Sequence, residues 1–99
     1  MTKTHRALIH WSAEQVTHGL PEFHRTIDPA WLPDARPPLG DGWSLVCDFE
    51  SSPSVQGSPS MAQVQFMVDE APHDRLRPGI MLQLFERPTR RYAQVEILD

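Results

Sequence analysis

Residues 80–97, IMLQLFERPTRRYAQVEI, hold two alternating runs joined by a turn-sized segment with a proline in it. In the first run Ile80, Leu82 and Leu84 fall on one face and Met81, Gln83 and Phe85 on the other, the period-two signature of a half-buried strand. The second run, YAQVEIL, alternates in the same way, and Pro88 stands where a strand should stop. Pro78-Gly79, just upstream, suits a type II turn: proline fixes φ at the first central position and glycine accepts a positive φ at the next.

The same pattern recurs upstream. In GWSLVCDFE, residues 42–50, Trp43, Leu45, Cys47 and Phe49 share a face against Ser44, Asp48 and Glu50, with Val46 the one apolar residue on the polar side. In MAQVQFMVDE, residues 61–70, Ala62, Val64, Phe66 and Val68 point inward. Arg6 to Trp11 reads as a further strand, and Ser12 with Gln15 and Gly19 as the capping box and stop of one short helical turn. Residues 28–42 carry four prolines and two glycines and read as mostly irregular, with any strand there at an edge. Residues 51–60, SSPSVQGSPS, read as an uncharged loop and as the segment freest to move.

These pieces amount to five or six short strands without a long helix, hence a small closed barrel or sandwich in which edges are covered. At 99 residues the chain is one domain with one core, and ten prolines argue against a helical bundle. A lone cysteine, Cys47, excludes an internal disulfide and a multi-thiolate zinc site. Nothing in the N-terminal residues resembles a leader or a membrane span, so the expectation is a cytoplasmic protein.

The order of the pieces resembles the C-terminal β-barrel domain (domain III) of elongation factor Tu, and small stand-alone bacterial proteins similar to it. KTHRALIHWSAEQVTHGLPEF, residues 3–23, is similar to that domain's first strand and following loop, and LRPGIMLQLFERPTRRYAQVEIL, residues 76–98, to its closing hairpin. The resemblance implies a single six-stranded Greek-key barrel over residues 1–99, with a long irregular segment between the first and central strands. It does not imply GTP hydrolysis, because no phosphate-binding loop occurs. The family's Gly-Gly-Arg element for tRNA is replaced by Val16-Thr17-His18-Gly19.

Net charge is −4, which opposes binding to phosphate backbones, although residues 73–92 carry five arginines against Asp74 and Glu86. The five histidines lack a metal-ligand spacing, Cys47 sits on an apolar strand face beside Asp48, and no serine stands in a nucleophile-positioning motif. The expectation is therefore a non-enzymatic binding module without a cofactor, with a protein partner of immunity or regulatory type. Its contact would be an apolar surface of Trp31, Met61, Met67, Met81 and Phe85, ringed by Arg75, Arg87, Arg90 and Arg91. RNA binding through the arginines is the alternative, and a metal- or thiol-dependent enzyme the third.

Overall fold

The computed structural model describes residues 3–35, 42–87 and 90–99, except the side chain of Arg87. Six strands follow one another as β1 (His5–Trp11), β2 (Arg25–Trp31), β3 (Trp43–Asp48), β4 (Ser60–Phe66), β5 (Met81–Arg87) and β6 (Arg90–Ile97). All pairings are antiparallel, and the sheet closes into a ring in the order β1, β4, β3, β2, β5, β6. Two short helices, α1 (Ala13–His18) and α2 (Pro53–Gln56), and one 3₁₀ turn at His73–Arg75 sit in the connections. Among the described residues, no helix is long and apolar enough to cross a membrane.

The alternation read from the sequence builds the interior. Ala7 and Ile9, Leu45 and Cys47, Ala62, Val64 and Phe66, Leu82 and Leu84, and Ala93, Val95 and Ile97 are all buried in one cluster. Small Ala7, Ala30, Ala62 and Ala93 stand among larger neighbours, which lets side chains from strands on opposite sides of so narrow a ring interdigitate. Leu32, Ala71 and Leu76 plug one end. Trp43 shares the inward face of β3 but stands at its start and stays 36% exposed.

The expected turn at Pro78-Gly79 forms: Ile80 N–H donates to Arg77 O at 3.1 Å, and Gly79 has φ +91°. The helix after β1 also forms, with Ser12 Oγ accepting from Gln15 N–H at 3.1 Å. The reciprocal half of the capping box does not: the Gln15 side chain reaches forward to Gly19 O, and Ser12 N–H donates instead to Tyr92 O. The helix start is thereby tied to β6.

Two readings need correction. Residues 28–31 are not irregular but complete β2; Asp28 precedes a proline, which favours extended backbone, and the strand tolerates Pro29 because its far edge is thinly paired there. Residues 36–41, the rest of that proline-rich segment, lie outside the described residues. The segment 51–60 is not a free loop. Ser52, Pro53 and Ser60 are buried, Ser58 Oγ accepts from Trp11 N–H, and the Gln56 amide exchanges two hydrogen bonds with the backbone of Met61, at 2.7 and 3.0 Å. Uncharged side chains that can replace a strand's hydrogen bonds tether this segment more firmly than its composition suggests.

Candidate binding cleft at the open seam

The ring is uneven. β2 pairs with β3 from Arg25 to Ala30, but with β5 only at Ala30 opposite Leu84 and Trp31 opposite Gln83. Among the described residues, none pairs with the far edge of β2 from Arg25 to Pro29. Pro29 has no N–H to donate, and the ladder ends there.

On the other side of the seam, β5 and β6 slip register twice. Leu84 faces Ala93 and Phe85 faces Arg91, which leaves Tyr92 as an extra residue on β6; Phe85 faces Arg91 and Arg87 faces Arg90, which leaves Glu86 extra on β5. A bulge re-aims the side chains around it. Strict alternation would send Tyr92 outward, opposite to buried Ala93. Instead Tyr92 turns toward the barrel mouth, stacks on buried Trp11 with ring centroids 6.4 Å apart, and brings its hydroxyl within the influence of the Asp28 carboxylate across the seam.

Asp28 stands opposite Leu45, so its side chain lies on the inward face of β2. Burial pushes the Tyr92 hydroxyl far above the usual phenol range, and the Asp28 carboxylate pushes the same way. The phenol is therefore protonated at any physiological pH. Cys47, inward on β3, is pushed up to about 12, chiefly by burial; Thr26 works against this, and Asp28 and Asp48 push the same way as burial. A thiol held in that state is inert.

The opening is a cleft of about 390 Å³ walled by Asp28, Pro29, Phe85, Glu86, Arg90 and Tyr92 under Gln15 of α1. A groove of about 420 Å³ continues from it along β2, past Arg25, Thr26 and Ile27 to Pro21 and Phe23. Arg90 is only a quarter exposed and is ion-paired with Glu86 and, at 2.8 Å, with Glu14. Phe23 is 72% exposed and Ile27 51%, large apolar side chains left on the rim.

The expected contact residues do not share one surface. β4 and β5 occupy opposite positions in the six-stranded ring, so outward-facing Met61 and Met67 lie across the barrel from Met81 and Phe85. Trp31 is not in a loop but ends β2, where it meets Phe85 edge-on at 5.6 Å; its indole nitrogen is buried without an acceptor among the described residues. Nor do the arginines form a ring. Arg75 is paired with Asp34 at the far end of the barrel, Arg90 lies in the cleft, and Arg91 bonds Gln83 Oε1 at 3.2 Å. The Arg87 side chain lies outside the described residues.

Of the expected residues, then, the structure brings Phe85 and Arg90 to the cleft and Trp31 beside it. Asp28, Tyr92, Glu86, Phe23 and Ile27 are further cleft and rim residues that the expected contact surface does not include. Alternation concealed Tyr92 and Glu86, since both depend on bulges; the one available signal was Asp28-Pro29, which marks an extended residue beside a missing donor. Among the described residues, no three His, Cys, Asp or Glu side chains converge as a metal ion would require. Comparison with protein-family models, with curated proteins and with solved structures returns no match.

Proposed function

We propose that the protein is a non-enzymatic protein-binding module that takes its partner at the open seam, not at the methionine-bearing faces. The observation that carries this is the pairing of a concave, partly polar cleft with two large apolar side chains, Phe23 and Ile27, exposed on its rim. An apolar rim supplies the burial that drives association, and Asp28 with the neutral Tyr92 supplies orientation. An immunity or regulatory role, in which the barrel occupies a partner's surface, is consistent with that arrangement.

The barrel belongs, in this reading, with domain III of elongation factor Tu as a Greek key. What supports it is the chain order: β2, β3 and β4 follow one another as neighbours, and β1 lies beside β4. Carry-over of RNA binding finds little support. Arg6, Arg25, Arg75 and Arg90 are each paired with a carboxylate, which spends the charge a phosphate would use.

The test is site-directed photo-crosslinking in the source cells, with benzoylphenylalanine in place of Phe23 or, as control, of Val55, which is 78% exposed on α2. Protein adducts at position 23 and not at 55 are expected. Equal adducts at both, adducts at neither, or adducts to RNA overturn the proposal.

A further inference from the structure

We infer that the open edge of β2 is a docking strand for an extended peptide that carries a basic side chain next to an apolar one. The inference rests on the binding role proposed for the cleft and specifies its occupant.

The backbone hydrogen bonds define the edge. Phe49 N–H donates to His24 O at 2.7 Å, so His24 and Phe49 form a hydrogen-bonded pair, and the pairs alternate from there. Thr26, Asp28 and Ala30 therefore direct their backbone groups to β3, and Arg25, Ile27, Pro29 and Trp31 direct theirs to the opposite side. Trp31 is in the stretch that β5 covers. Among the described residues, Arg25 and Ile27 have no ladder partner on that side, where each offers a donor and an acceptor, and Pro29 offers an acceptor alone. A peptide of about four residues, at roughly 3.3 Å per residue, would span this edge. Strand addition of this kind draws affinity from main-chain hydrogen bonds and specificity from alternate side chains.

The walls state the chemistry of those side chains. On the inner face the cleft presents Asp28 and Glu86, and its one cation among the described residues, Arg90, is already held by Glu86 and Glu14. A lysine or arginine opposite Asp28 meets complementary charge, in a molecule whose net charge is −4, and an acidic residue there is repelled. On the outer face Ile27 and Phe23 offer an apolar contact to the neighbouring peptide residue. The edge is also short: Pro29 cannot donate, and the Ala30–Leu84 pairing closes it, so an incoming strand cannot extend into a growing sheet.

The experiment screens a library of linear peptides against the full chain, then scans the best binder with backbone N-methylation while the Ile27 amide is followed by hydrogen exchange. Enrichment of Lys or Arg beside an apolar residue is expected. N-methylation at alternate positions should weaken binding about tenfold or more and be tolerated between them, the Ile27 amide should gain protection while the Asp28 amide does not change, and Asp28→Asn should weaken the basic peptide. No enriched peptide, or N-methylation tolerated throughout, overturns the inference, as does concentration-dependent protection of Ile27 without peptide, which would make a second copy the occupant. Protein adducts at position 23 together with no enriched peptide would leave the binding role standing and remove strand addition alone.

Discussion

Tyr92 and Asp28 stand on strands that are not neighbours in the ring, and the Tyr92 hydroxyl feels the Asp28 carboxylate across the gap where β2 and β5 part. The bulge that leaves Tyr92 unpaired on β6 makes this possible. A local irregularity in one hairpin thus sets the shape of the barrel mouth.

Tyr92→Phe removes the hydroxyl that the half-buried Asp28 carboxylate acts on. A loss of about 1 kcal/mol is expected, read as a lower denaturation midpoint with an unchanged slope. Because Tyr92 is the chain's one tyrosine, its ionisation can be followed by absorbance alone. The folded protein should show no phenolate at pH values where the urea-unfolded chain, with a pKa near 10, is already ionised.

The same residues set the alkaline limit. Tyr92 and Cys47 both have raised folded values, so the folded state holds protons that the unfolded state releases. Their stabilisation is complete below the unfolded thiol value of about 8.5 and falls as pH rises toward 12. Stability measured by urea titration should decline steadily above about pH 8.5, and Cys47→Ala should flatten the first part of that decline. Thiol labelling at pH 8 should be at least about a hundredfold slower in the native protein than in urea.

Trp11 links the core to the connection before β4, since its indole N–H donates to Ser60 Oγ at 3.0 Å and Ser60 in turn donates to Gly57 O at 2.6 Å. Ser60→Ala orphans a buried donor and should cost about 1–3 kcal/mol. Adding Trp11→Phe, which removes the donor, should cut the cost of the serine change to that of its bond to Gly57 O, so a double-mutant cycle isolates the Trp11–Ser60 pair.

Gly79→Ala places a side chain at φ +91° with nothing within 4 Å of it, so its cost is conformational and not steric. A loss of about 1 kcal/mol is expected, against less than about 0.5 kcal/mol for Phe23→Ser on the exposed rim. Phe23→Ser should nevertheless abolish partner capture, which separates binding from folding.

The strands that alternate in sequence alternate in space: Leu45, Cys47, Val64, Leu82, Leu84 and Val95 are buried where period two puts them. The Pro78-Gly79 turn was equally legible, because each residue permits only a few backbone conformations. The site was not. Its shape depends on two bulges and one short ladder, and register shifts leave no compositional trace. Nor could outward-facing Met61 and Met81 be assigned to opposite sides without knowing strand order, which is set by long-range pairing. The firm hold of Trp11 and Gln56 on residues 51–60 was hidden for the same reason.

The open seam itself is tested most directly by native-state amide hydrogen exchange on the free protein. Along β2, Thr26 and Asp28, which face β3, should be protected, whereas Ile27, which faces the gap, should exchange at least about tenfold faster. Protection at Ile27 equal to that at its two neighbours would show β2 paired on both sides, and would contradict the account.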